Sequence, residues 1–184
     1  MSAGAAKALT SSRLHSHFEL FGVAPAFALD AAALERSYRE IQSKVHPDRF
    51  AHAGDAERRA SLQWTTRVNE AYRTLKDPVQ RAKHILDLQG VDVAFETNTQ
   101  MPADFLMQQL ELREELERAV GSKDAASLDR LRSTLTASRK NLEKQIGEAI
   151  DGRKDYAGAA DLVRKLMFLG RLDDEIDAAY GELD

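Results

Sequence analysis

Apolar residues recur at three- and four-residue intervals along most of this chain, and no useful stretch shows the two-residue alternation of a half-buried strand. The first such stretch, Ser16 to Phe21, predicts a short helix closed by Gly22. A turn containing Pro25 then leads to Asp30, placed to cap a helix over 31–45 in which Leu34, Tyr38, Ile41 and Val45 form a narrow inward stripe. Arg36, Arg39 and Ser43 fall on the opposite face. Pro47 disfavours helical backbone at His46, so this helix should stop at about Val45. A loop from Asp48 to Gly54 follows, with Asp55 as the expected cap of a helix over 56–76. Leu62, Thr65, Val68, Tyr72 and Leu75 are its predicted inward positions, with Trp64 and Ala71 widening the stripe. Asp77-Pro78 breaks that helix and opens another over 79–89, ended by Gly90.

Residues 91–101 lack a helical period and read as a linker. Beyond Pro102 three long periodic segments are predicted, at about 102–120, 124–150 and 156–182. Leu128, Leu131, Leu135, Leu142, Ile146 and Ala149 lie in an arc of about 60° on the second, and Leu162, Leu166, Leu169, Leu172, Ile176 and Tyr180 form the matching stripe on the third. Gly121 and Gly152 stand where the helices should turn. Three amphipathic helices with short connections predict an antiparallel bundle. The fold class expected is all-α.

The first helix of the bundle has two faces. Taking Leu106 as origin, Phe105, Leu112, Leu116 and Ala119 cluster between about 220° and about 280°, the expected bundle side. Leu106, Leu110, Glu114, Met107 and Glu111 fall between 0° and about 140° on the same wheel, with their centre nearly opposite. An exposed leucine and methionine patch beside carboxylates is the pattern of a partner site. Phe168 lies about 105° off the inward stripe of its own helix, where it could border that patch or sit at the core's edge.

Composition narrows the chemistry. Across 184 residues there are no cysteines, which excludes disulfides, thiolate metal sites and a cysteine nucleophile. No apolar run is long enough to span a membrane. Residues 1–90 carry 13 Lys and Arg against 10 Asp and Glu, while residues 91–184 carry 13 against 20, so the halves differ in sign. Neither half is basic enough to point to nucleic acid. Residues 1–15 are small, polar and unpatterned, and read as a disordered tail.

His46-Pro47-Asp48 is the most informative short motif. As a metal site it is two ligands short, and as a catalytic pair it lacks an activated nucleophile or cofactor fingerprint. As an exposed recognition loop it is complete: Asp48 can make a charge-assisted bond with a partner arginine, and His46 offers a hydrogen-bonding ring. Arg36 and Arg39 then read either as a solvated face or as steering toward an acidic partner.

Two helices flanking His46-Pro47-Asp48, with Asn69-Glu70-Ala71-Tyr72, Asp77-Pro78 and Arg81-Ala82 downstream, resemble a J domain over residues 16–90. Phe105-Leu106-Met107, the run Leu110 to Leu116, and Val163-Arg164-Lys165-Leu166 with Phe168-Leu169 resemble the HscB-type co-chaperones of iron–sulfur cluster assembly. The resemblance implies a J domain, a helical hairpin with short flanking helices, that docks on a heat-shock ATPase chaperone of the DnaK or HscA type and stimulates its ATP hydrolysis. It implies that the three-helix bundle of residues 102–184 holds an IscU-type scaffold protein. His46, Pro47 and Asp48 match the family's essential motif, with Arg36 and Arg39 the candidate steering charges. Leu106, Met107, Leu110, Glu111, Glu114 and Phe168 match its scaffold-contacting positions. A general J-domain co-chaperone with another client is the alternative. Arg118 stands where relatives can carry an acidic residue, and Val45 where an aromatic is common. The cysteine-rich metal motif of eukaryotic relatives is missing, so a bacterial, cytoplasmic protein without zinc is expected. Neither a cofactor nor enzymatic activity of its own is expected.

Overall fold

The structure, a computed structural model, describes residues 16–94 and 101–183. The expected tail at 1–15 and the central part of the expected linker, 95–100, lie outside the described residues. All regular elements among the described residues are helical, and the chain divides into two compact units at Leu88–Gln89.

The N-terminal unit holds four α-helices: α1 (His17–Phe21), α2 (Ala31–Val45), α3 (Asp55–Lys76) and α4 (Pro78–Leu88). Ser16 opens α1 with a reciprocal cap, its hydroxyl accepting the Glu19 N–H at 3.2 Å while the Glu19 carboxylate accepts the Ser16 N–H at 3.0 Å. Gly22 closes α1 at φ 66°, a left-handed conformation that suits glycine. The helix is docked by Phe18, which is fully buried, and by His17. The His17 N–H donates to His84 Nε2 at 3.2 Å, and the two imidazoles stack with centroids 4.2 Å apart. Asp30 caps α2 as expected, its carboxylate accepting the N–H groups of Ala32 and Ala33.

Helices α2 and α3 form an antiparallel hairpin, and cross-links between them run in opposite sequence order. Tyr72 donates its hydroxyl to Glu35, Tyr38 donates to Asn69 at 3.0 Å, and the two tyrosine rings stack at 4.1 Å. Nearer the tip, Ser61 and Thr65 bond the Val45 carbonyl.

Two expectations for α3 need correction. Gly54, rather than Asp55, is its N-cap: the Glu57 carboxylate reaches back to the Gly54 N–H at 3.3 Å, and Asp55 becomes the first helical residue, paired with Arg58. Leu62 is 55% exposed rather than inward. It lies about 120° from Val68 on the helix, and Ser61, about 20° away, takes the buried place.

The C-terminal unit contains α5 (Ala103–Gly121), α6 (Ala125–Gly147) and α7 (Tyr156–Leu183), with a wider π turn, Glu148–Arg153, between the last two. Contacts of α6 with α7 pair Asp129 with Tyr180, Arg132 with Asp177 and Arg139 with Asp173, an antiparallel order. Contacts of α5 with α7 pair Phe105 with Phe168 and Arg113 with Glu175, so the first and third helices run the same way. The packing is that of an up-down-up bundle. Leu128, Leu131, Leu135, Ile146, Ala149, Leu166, Leu169, Leu172 and Ile176 are buried, as their stripes predict. Leu112, Leu142, Leu162 and Tyr180 are half-buried at its margin. Part of the expected linker belongs to this unit. Val93 is buried, and Arg164, itself buried, donates from Nη1 to the Val93 carbonyl at 2.8 Å.

Candidate functional site

Each unit presents the residues singled out in its sequence on a surface outside its own packing. In the N-terminal unit it is the tip of the α2–α3 hairpin. Helix α2 ends at Val45, and His46 turns the chain with φ −58° and ψ 131°. The residues that follow are not an irregular loop from Asp48 onward, as the sequence suggests. Pro47–Phe50 form a single 3₁₀ turn with His46 as its cap, a place where proline's missing N–H costs nothing.

The His46 ring accepts the Asp48 backbone N–H at Nδ1, 3.3 Å away. That bond requires Nδ1 to be unprotonated, so the neutral ring carries its proton on Nε2. Nε2 makes no bond among the described residues and is free to donate to a partner. The Asp48 carboxylate, 3.5 Å from Nδ1, has its side chain 89% exposed. The turn is anchored from behind. Ser61 Oγ donates to the Val45 carbonyl at 2.6 Å, Thr65 Oγ1 to the same oxygen at 3.1 Å, and the Arg49 guanidinium to the Ser43 carbonyl at 3.0 Å. These bonds satisfy carbonyls at the end of α2 that the helix leaves unpaired.

Arg36 and Arg39 are exposed on the outer face of α2. Arg39 is paired with Glu35 at 2.8 Å, whereas Arg36 makes no ion pair among the described residues. Glu35 also accepts the Tyr72 hydroxyl, and that bond, followed by Arg39, holds its carboxyl below the usual range. The two arginines are therefore not equivalent as free charge.

In the C-terminal unit that surface is the outer face of α5. Phe105, Leu116 and Ala119 are buried on the bundle side, and Gln109, one turn beyond Phe105, is buried with them. On the other side Leu106 is 46% exposed, Met107 64% and Leu110 59%. Glu111 and Glu114 are exposed beside them. Three large apolar side chains over about one helical turn form an unusual surface, because isolated exposed leucines are common but contiguous ones are not.

Phe168 is half-buried, packs against the bundle core, and meets the Phe105 ring edge-on with centroids 6.4 Å apart. It therefore stands at the core's edge, beside Phe105. Arg118 donates from Nε to the Glu114 carbonyl at 3.2 Å.

Ser61, Thr65 and Arg49 support the tip although their residue types do not mark them for it. The signal for Ser61 is its angle, inside the Val68–Leu75 stripe; its residue type concealed the role. No group of three or more His, Asp or Glu gathers to hold a metal among the described residues, and no helix among them is long and apolar enough to cross a membrane.

Comparison with known proteins follows the same two-part division. Residues 16–84 match the DnaJ domain family, and residues 101–177 match the family described as the HSCB C-terminal oligomerisation domain. A curated co-chaperone protein HscB homolog from Burkholderia thailandensis is 49% identical over 169 residues, covering 92% of this chain and 96% of its own length. Among solved structures, chaperone HscB from Vibrio cholerae has a TM-score of 0.81 at 35% identity, covering 92% of this chain and 100% of its own. The human co-chaperone protein HscB has a TM-score of 0.84 at 27% identity, covering 91% of this chain and 82% of its own. With both units matched in order and nearly the full length shared, this chain belongs to the HscB-type J-domain co-chaperones of iron–sulfur cluster assembly.

Proposed function

We propose that the chain captures an IscU-type iron–sulfur scaffold protein on the outer face of α5 and delivers it to an HscA-type heat-shock ATPase chaperone. The chaperone's ATP hydrolysis is stimulated by His46, Pro47 and Asp48, with Arg36 and Arg39 steering the encounter. In this reading the chain does no covalent chemistry, needs no metal or cofactor, and works in the bacterial cytoplasm, in keeping with the bacterial origin of its 49%-identical relative. Carrying both surfaces on one chain makes the second encounter intramolecular and raises its effective concentration.

The observation that carries the scaffold half is the exposure of Leu106, Met107 and Leu110 on a helix whose opposite face already supplies the bundle core. Leu106, Met107 and Leu110 form the hydrophobic centre, Glu111 and Glu114 the rim, and Phe168 a supporting edge behind Phe105. Changing Leu106, Met107 and Leu110 together to serine is expected to weaken scaffold binding by more than about 100-fold, since each buried apolar side chain is worth roughly 1.5–3 kcal/mol. Circular dichroism should be unchanged, because none of the three supports the core. Calorimetry showing wild-type affinity in the triple variant would overturn the assignment.

A second reading is favoured by the family description of residues 101–177 as an oligomerisation domain. In it the α5 face pairs with a second copy of the chain. Sedimentation equilibrium separates the two: a dimer that the triple serine variant converts to monomer assigns the face to self-association.

A further inference from the structure

The chain contains no cysteine, so no thiol can intercept an oxidant, and methionine carries its only sulfur. The methionines are not equally accessible. Met101 packs against the bundle core and Met167 is half-buried, while Met107 is 64% exposed in the middle of the apolar face of α5. Its neighbours on that face are Leu106, Leu110, Glu111 and Glu114. The two carboxylates would discourage an anionic oxidant, but hydrogen peroxide is uncharged and is not repelled.

We propose that Met107 is an oxidation-sensitive site through which peroxide weakens, and methionine sulfoxide reduction restores, the capture of the partner on this face. This rests on the reading of the face as the scaffold-binding surface. In the reaction a sulfur lone pair attacks one peroxide oxygen and the O–O bond breaks. An S–O bond forms, and the departing hydroxide takes the proton carried by the transferred oxygen and leaves as water. Sulfur loses two electrons and peroxide gains them. The product replaces a flexible apolar side chain by a polar one with a strong acceptor oxygen. Buried against an apolar partner, that oxygen would lose its water without gaining a donor, and the thioether's own apolar contribution would also be lost.

The test uses the full chain treated with hydrogen peroxide, peptide mass spectrometry to follow each methionine, and calorimetry against the purified IscU-type scaffold. Met107 is expected to gain one oxygen before Met101 and Met167, and scaffold affinity to fall at least about tenfold as it does so. Methionine sulfoxide reductases supplied with a dithiol reductant should restore it, the sulfoxide oxygen leaving as water while the dithiol becomes a disulfide. Met107→Leu, compared with its own untreated affinity, should lose none of it on peroxide treatment, while Met107→Gln should bind more weakly than Met107→Leu without treatment. The proposal is overturned if Met101 or Met167 oxidises first, if protein oxidised at Met107 binds as well as the reduced form, or if Met107→Leu loses as much affinity on treatment. Failure of the untreated protein to bind the scaffold instead removes the underlying reading. The order of oxidation, measured without partner, keeps the two failures apart.

Discussion

The two units present a surface in opposite ways. At the hairpin tip the surface consists of a few polar atoms on a 3₁₀ turn, held by bonds to two carbonyls at the end of α2. Behind it the stripe is only half-buried at Tyr38, Ile41 and Val45, and is completed by tyrosine hydroxyls and an asparagine. On α5 the surface is apolar area, carried by a helix whose other face belongs to a core of fully buried leucines and isoleucines. A polar epitope depends on where one ring nitrogen or one carboxylate sits, so a single change can abolish it with little effect on the fold. An apolar face should instead fail by degrees as area is removed. In the proposed function this difference makes the tip an all-or-none trigger and the α5 face a graded grip.

The largest effect expected is at the tip. His46→Gln should reduce stimulation of the chaperone to the rate of the chaperone alone in single-turnover ATPase assays, with scaffold affinity and melting temperature unchanged. Gln cannot both accept the Asp48 N–H at Nδ1 and place a donor where Nε2 stands. Undiminished stimulation would show that the tip is not the trigger. The next effect is on stability. Leu135→Ala, at 1% exposure in the bundle, should cost about 2–5 kcal/mol in urea unfolding of that unit. Ile41→Ala in the half-buried hairpin stripe should cost about half as much. Equal losses would mean that the two cores are not built differently after all.

How far the sequence discloses this depends on what kind of residue does the work. Helices α2, α4 and the three of the bundle are legible because leucine and isoleucine repeat with the helical period. The outward turn of Leu106, Met107 and Leu110 follows from the same angles. Inward positions filled by polar residues are not legible by type. Ser61 and Gln109 sit at inward angles yet read as surface, and the hydrophobic Leu62 is credited with the place that Ser61 occupies. Val93 is a single apolar residue in an aperiodic stretch, and no period could show that Arg164 would bind its carbonyl. The 3₁₀ turn after Pro47 is too short to have a pattern. The cap at Gly54 depends on Glu57 reaching backward, which residue preference at one position does not predict.

A smaller effect should separate the units by pH. Burial holds the His17 imidazole below its ordinary value, against Glu70, which raises it, and with Arg67, which lowers it further. Burial does the same for His84, helped by His17 and opposed by Asp87. Both rings are therefore harder to protonate folded than unfolded. Stability from this pair is complete above the unfolded value near 6.5 and is lost as the pH falls below it toward the folded values. Protonating His84 Nε2 also removes the acceptor for the His17 N–H that docks α1. The N-terminal unit should weaken as the pH falls through and below about 6.5, while the bundle, which has no histidine, holds. NMR titration of the full chain should show both imidazoles titrating below the ordinary value, and His84→Gln should flatten the loss. An N-terminal unit equally stable across that range would remove the distinction.

The smallest effect expected is at the rim of the α5 face, and it tests whether that face is gripped by area or by charge. Glu111 and Glu114 are exposed, so a partner cation there is paired in solvent and screened by salt. Changing both to glutamine keeps the side-chain length and one acceptor oxygen on each while removing two negative charges. Affinity for the scaffold should fall only a few-fold, since exposed pairs are worth about 0.2–1 kcal/mol each. The loss should lie mainly in the association rate, and in the wild type it should be mimicked by raising the salt concentration. Stopped-flow measurements over a range of ionic strength would show the variant's rate nearly independent of salt. Should the double glutamine variant instead match the triple serine variant in its loss, the grip would be electrostatic. The contrast between a polar trigger and an apolar hold would then have to be abandoned.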